Sequence, residues 1–201
     1  ASCLVGSEMC IRDSTILINK VPKKVMIIID AAYAEYMTDN DYSNGLEFAQ
    51  KNMNVIVTRT FSKIYGLASL RLGWCYAHSN IISSMNKVRG PFNVNHLAQV
   101  AGIQALKDRK YTNNSKKHNM LWIKTMNKEL SKLPIKVYDS RANFLLIDVG
   151  KSVFKLNKYL LSKSIIIRLM EKYNLPTCIR VSIGTANENK KVLKAFKDFY
   201  K

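Results

Sequence analysis

Apolar and polar residues follow one another along this chain in blocks whose length and period predict interleaved strands and helices. Val25-Met26-Ile27-Ile28-Ile29 is an unbroken apolar run, which predicts a central strand buried on both faces. It stops at Asp30. The stretch 41–51 places Leu46, Phe48 and Ala49 at helical spacing, and Asn54–Thr58 predicts the next strand. Strand, helix, strand predicts a βαβ unit with a parallel pair. A further strand is expected over 70–77, followed by a helix that Ser79 caps and that runs to Lys87. Upstream, Thr15–Val21 reads as the tail of a helix that ends before Pro22. Downstream, His96–Lys107 predicts a helix whose small residues, Ala98, Ala101, Gly102 and Ala105, permit close packing.

Composition then turns polar over 108–117, and a long amphipathic helix through Lys132 is expected to connect two domains. Beyond it, 135–138, 144–149, 165–168 and 179–183 predict strands. The segments 153–162 and 187–201 predict helices. The expected class is α/β. A mostly parallel sheet with helices on both faces occupies 15–110, and a connecting helix with a small α+β domain occupies 111–201.

Bulk properties refine this picture only modestly. At 201 residues and 47% hydrophobic, the chain can bury a real core. No apolar run approaches the roughly 20 residues that span a bilayer, so no membrane partner is expected. The formal net charge of +18 raises the possibility of a nucleic-acid-binding module. The lysines are scattered, however, with no zinc spacing, recognition helix or stacking aromatics among them. No nucleic-acid partner is expected. Four cysteines (Cys3, Cys10, Cys75, Cys178) form no CxxC pair, and His78, His96 and His118 form no ligand cluster. A reduced, cytoplasmic protein without metal is the plain expectation.

The chemistry concentrates in one stretch. Thr58-Arg59-Thr60-Phe61-Ser62-Lys63-Ile64-Tyr65-Gly66-Leu67-Ala68-Ser69-Leu70-Arg71-Leu72-Gly73-Trp74 leaves a strand through hydroxyl residues, reaches a lysine, then an arginine, and enters another strand. Hydroxyls and a guanidinium suit a phosphate, and a lysine beside them suits attack on a carbonyl carried by the same ligand. At the end of the preceding strand stands Asp30, in Asp-Ala-Ala-Tyr-Ala-Glu-Tyr. Ligands of open α/β sheets gather at the carboxyl ends of strands. Alone, Asp30 reads equally well as a helix N-cap.

This string closely resembles the cofactor-lysine motif of the fold-type I pyridoxal-phosphate aminotransferases of class I and II, and within them the histidinol-phosphate aminotransferases. The resemblance covers essentially all of Thr15–Lys201, the C-terminal portion of such an enzyme, and includes the turn Pro91-Phe92-Asn93-Val94-Asn95. It implies pyridoxal 5′-phosphate as cofactor, with Lys63 as the Schiff-base lysine. Thr60, Ser62 and Arg71 would meet the cofactor phosphate. Asp30 would face the ring nitrogen, where a carboxylate keeps the ring protonated, and Tyr33 the phenolic oxygen. Ala31 departs from the commonest form of the strand-end motif, which has Glu there. The resemblance also implies substrate contacts. Arg180 would bind the amino-acid carboxylate, and Arg168 would bind a second anionic group such as a substrate phosphate. The reaction implied is L-histidinol phosphate plus 2-oxoglutarate to imidazole-acetol phosphate plus glutamate, in histidine biosynthesis, by a homodimer when full length. Threonine-phosphate decarboxylase and aromatic aminotransferases share these motifs and stand as alternatives.

The beginning of the chain reads differently. Leu4–Ser14 corresponds in one frame to the translation of a common transposon-based sequencing adapter, so 1–14 is set aside from the fold, and genuine coding is expected from near Thr15. Upstream of Asp30 there is no Gly/Ser phosphate loop, no ring-stacking aromatic motif and no Asn-Pro-rich turn. Weak cofactor binding, poor turnover and poor solubility or association of these 201 residues are therefore expected.

Overall fold

A computed structural model of the chain describes residues 10–201; residues 1–9, most of the adapter-like segment, lie outside the described residues. The described chain divides into two compact units, 10–116 and Lys117–Lys201.

In the first unit, α1 (Ile11–Lys20) is capped by Cys10, whose Sγ accepts from the Asp13 amide at 3.4 Å. A single bridge joins Cys10 to Tyr42. Strand β1 (Ile27–Asp30) leads through a short 3₁₀ turn, Ala34–Tyr36, to α2 (Leu46–Lys51) and β2 (Val55–Thr60). Strand β3 (Gly73–Tyr76) follows the lysine loop, and α3 (Ser79–Val88) and α4 (His96–Lys107) complete the order. The three-stranded sheet runs β1-β2-β3. The expected parallel pair is β1 with β2, in register Asp30↔Thr58, whereas β3 is antiparallel to β2, in register Thr60↔Gly73.

Burial decides what the apolar runs do. Val55 and Val57 are fully buried, with Ile18, Ala31 and Ala49 around them. Strand β1 is not the doubly buried central strand that its composition suggests. It lies at the edge of the described sheet, and Ile28 is 64% exposed. The period of two turns Ile27 and Ile29 toward the buried cluster and leaves Ile28 on the other face. Helix α3 is capped one residue earlier than expected, because His78 Nδ1 accepts from the Asn80 amide at 3.3 Å. In α4, the small residues are the inward side: Ala98 and Gly102 are buried. A side chain at Gly102 would run into Leu72, just beyond the lysine loop. Leu97, Val100, Ile103 and Leu106 of the same helix are exposed.

Helix α5 (Arg109–Leu130) contains the polar stretch as its first half, and the boundary between the two units falls within it. Asn119, Trp122, Met126 and Leu130 are its buried residues, spaced at a helix repeat. The second unit then places β4 (Lys136–Val137), β5 (Phe144–Asp148), α6 (Val153–Ser162), β6 (Arg168–Leu169), β7 (Cys178–Ser182) and α7 (Ala186–Phe199). Its sheet has the order β4-β5-β7-β6, antiparallel throughout. Leu145, Ile147, Ile179, Leu156, Leu160 and Phe196 fill the core between sheet and helices. Each such side chain contributes about 1.5–3 kcal/mol on leaving water. Helix α7 starts with a capping box, Thr185 with Glu188, which satisfies its first free amides.

Among the described residues no helix is long and apolar enough to cross a membrane, and no group of three or more His, Cys, Asp or Glu could hold a metal ion.

Candidate active site

The lysine loop is closed by its own backbone. Phe61 N–H donates to Leu72 O at 3.1 Å and Leu67 N–H to Phe61 O at 3.0 Å. Within that frame Gly66, at φ 71°, donates to Lys63 O at 2.9 Å, a turn that a side chain would strain. Phe61 and Ile64 are buried and anchor the two ends of the Ser62-Lys63 pair. Thr60 Oγ1 accepts from the Ser62 amide at 3.0 Å, so both hydroxyl residues are tied to the end of β2. At the far end, Gly73 fits only because it lacks Cβ. An added Cβ there would lie 2.8 Å from Arg59 O.

Lys63 meets Tyr33: its Nζ is 5.2 Å from the centre of the ring, a cation–π distance. Tyr33 follows Asp30 on the segment leaving β1, and its ring centre is 6.3 Å from that of Tyr36. Burial, with Tyr111, Tyr33 and Glu35 nearby, pushes the Tyr36 phenol up to about 12. Asp30 Oδ1 accepts from the Ala32 amide at 3.1 Å, which shapes the turn after the strand. The Asp30 carboxylate is exposed, because its strand is at the sheet edge. Arg71 takes a left-handed conformation at φ 54°, and its Nη1 donates to Ala68 O at 2.7 Å. Its side chain is exposed.

The first unit therefore carries Asp30, Tyr33, Thr60, Ser62, Lys63 and Arg71 on two adjacent segments at the carboxyl ends of the parallel strands β1 and β2, and it brings Lys63 against Tyr33. This donor set fits a phosphorylated pyridine aldehyde. It offers one amine for a carbonyl, two hydroxyls and a guanidinium for a phosphate, and a carboxylate for a protonated ring nitrogen.

Arg168 and Arg180 belong to the second unit. They are cross-strand partners on β6 and β7. Arg180 Cζ lies 4.9 Å over the Phe144 ring, and its Nε is buried with no hydrogen-bond partner. Arg168 is exposed, 5.7 Å over the Tyr173 ring. Two cations placed opposite each other repel, and a buried guanidinium N–H without an acceptor is costly. An anion between or beside them would relieve both.

Two residues of the first unit escaped the sequence argument. Arg59 Nη2 donates to Glu35 Oε1 at 2.6 Å, and Arg59 Nε to the same oxygen at 3.3 Å. An arginine inside an apolar strand was the available signal.

Comparison with known proteins adds the following. The family described as "Aminotransferase class I and II" matches residues 11–196. A histidinol-phosphate aminotransferase of Pelagibacter ubique is 45% identical over 185 residues, 90% of this chain and 51% of its own length. One from Paramagnetospirillum magneticum is 43% identical over 179 residues, 87% of this chain and 49% of its own length. The chain thus spans about half the length of the curated relatives it matches. Among solved structures, the histidinol-phosphate aminotransferase of Sinorhizobium meliloti in complex with pyridoxal-5′-phosphate superposes with a TM-score of 0.85 at 24% identity. That match covers 95% of this chain and 54% of that one. The Clostridium acetobutylicum enzyme of the same name gives 0.89 at 24% identity, covering 98% and 62%. At this identity the two structures establish a shared fold.

Proposed function

Because the chain belongs to the aminotransferase class I and II family, we propose that it is the lysine-bearing portion of a pyridoxal-phosphate-dependent transaminase. We further propose histidinol phosphate and glutamate or 2-oxoglutarate as its substrates. The observation that carries this is the Lys63 amine on a backbone-locked loop, 5.2 Å from Tyr33, downstream of the strand that ends at Asp30. The names of relatives at 43–45% identity support the choice of substrate.

The cofactor, when bound, supplies an aldehyde carbon and a protonated ring that draws electrons from a substrate Cα. Lys63 Nζ would hold that aldehyde. The freed Lys63 Nζ would be the base that takes the proton from the substrate Cα. Asp30 would hold the ring-nitrogen proton, and Tyr33 would donate to the phenolic oxygen. Thr60, Ser62 and Arg71 would hold the phosphate, which would keep the amine and Cα aligned. Arg180 binds the substrate carboxylate, and Arg168 binds the phosphate of the phosphorylated substrate. We place the protein in the cytoplasm, as a homodimer when full length, in histidine biosynthesis. The domain division 15–110 and 111–201 belongs to the same proposal, with residues 1–14 outside both.

The test is to incubate the protein with pyridoxal phosphate, reduce with borohydride and locate the label, then assay a substrate panel. Label at Lys63 of this chain is expected, with amino transfer between L-histidinol phosphate and 2-oxoglutarate slow in this chain and efficient in the full-length enzyme. Carbon dioxide release from threonine phosphate, or transfer from aromatic amino acids alone, would replace the substrate assignment. Absence of label at Lys63 would overturn the cofactor assignment. Steeply salt-dependent DNA binding without label would revive a nucleic-acid role.

A further inference from the structure

We propose that Glu35 and Arg59 form a positioning clamp that holds Tyr33 against Lys63 and so aims the lysine amine at the aldehyde it binds; the inference rests on the function proposed above. Arg59 lies in β2, four residues before Lys63, and Glu35 lies in the 3₁₀ turn two residues after Tyr33. Their ion pair, Arg59 Nη2 to Glu35 Oε1 at 2.6 Å, is the point where these two segments are tied by charge. Each segment carries one half of the Tyr33–Lys63 contact.

The pair is built rather than incidental. The two side chains are only 13% and 16% exposed. Two donors of Arg59 converge on one carboxylate oxygen. The guanidinium also lies 5.5 Å over the ring of Trp74, its cross-strand partner. Tyr42 and Tyr65 are close enough to feel both charges, and partial burial pushes both phenols up. Taking two charges out of water costs about as much as their attraction returns, so stability alone is a weak reason to keep them. A directional tie between two segments is a better one. The Tyr33–Lys63 contact at 5.2 Å is by itself too weak to set the geometry of a long, flexible lysine. A displacement of an ångström at a reacting amine is costly in rate.

The experiment uses the 201-residue chain. Lysines are reductively ¹³C-dimethylated, the Lys63 resonance is assigned with Lys63→Arg, and Tyr33→Leu measures how far the Tyr33 ring displaces it. In separate samples, the rate of borohydride-trapped pyridoxal phosphate at Lys63 is followed. Glu35→Gln and Arg59→Lys keep shape while weakening the tie, and circular dichroism confirms that they fold. Each is expected to remove at least half of the Tyr33-dependent displacement and to slow trapping by about tenfold. Glu35→Asp, which keeps the charge, restores part of both. In a Tyr33→Leu background the same substitutions should change nothing further. Wild-type displacement in Glu35→Gln and Arg59→Lys would overturn the clamp, as would an equal loss of trapping in the Tyr33→Leu background. If the unaltered chain is not trapped at Lys63, the proposed function fails, and the displacement still decides the clamp.

Discussion

Lys63 Nζ stands 5.2 Å from the centre of the Tyr33 ring, although the two residues belong to segments that leave different strands. That contact ties the amine of the lysine loop to the turn after β1, and it makes Lys63 the first residue to test. Lys63→Arg keeps the charge and removes a usable amine. Trapping of pyridoxal phosphate at this position should vanish, and amino transfer by the full-length enzyme should fall by about two to four orders of magnitude. Stability toward urea should be nearly unchanged, because arginine keeps the cation over the Tyr33 ring.

Arg180 presents a buried Nε without a partner, over Phe144. Replacing it with lysine removes the planar fork that suits a carboxylate. KM for glutamate and 2-oxoglutarate should rise by about 10–100-fold, with a smaller effect on kcat. Steady-state kinetics of the full-length enzyme, varying each substrate in turn, would measure this. An unchanged KM would leave Arg180 a structural residue of β7.

Gly73 faces the carbonyl of Arg59 so closely that a Cβ would lie 2.8 Å from the oxygen. Gly73→Ala must push β3 away from β2. We expect a loss of about 1–3 kcal/mol in urea unfolding of the first unit. Because the same strand end carries Arg59 and Thr60, cofactor trapping at Lys63 should weaken in parallel.

Glu129 lies between Lys132 and Lys197, accepting from both at 2.6 and 2.5 Å. These hydrogen bonds hold its carboxyl down at about 2, against 4.5 ordinarily. A carboxyl depressed in the folded state adds stability above its unfolded value and loses it as pH falls through the folded one. The contribution should therefore be complete above about pH 4.5 and gone near pH 2. Solvent exposure keeps it small. Glu129→Gln should flatten this part of the pH dependence of unfolding of the second unit while leaving trapping at Lys63 unaltered.

Much of this protein was legible from residue order. The helices His96–Lys107 and Val153–Ser162 lie where their periodicity placed them. The parallel pairing of β1 with β2 followed from strand, helix, strand. The candidate chemistry was legible as well, since lysine, hydroxyls and arginine are contiguous and their types already suit a phosphorylated aldehyde. Period and local chemistry are properties of neighbouring residues, so a linear string contains them.

Tertiary structure decided the rest. Ile28 looks like any other isoleucine of its run, yet it is 64% exposed, because burial depends on what packs over a face and not on the strand itself. The polar residues 109–117 read as preceding the connecting helix but begin α5, where Tyr111 packs beside Gly66 and Lys116 donates to Met37 O at 2.5 Å. Contacts of that kind give helix to a polar stretch that has no apolar stripe. Glu35 and Arg59 are 24 residues apart in sequence, and only the pairing of β1 with β2 brings the turn after one strand beside the end of the other. Their ion pair, like the approach of Tyr33 to Lys63, is a consequence of chain folding in three dimensions: an arginine in an apolar strand signals that a partner is needed, but not which residue supplies it.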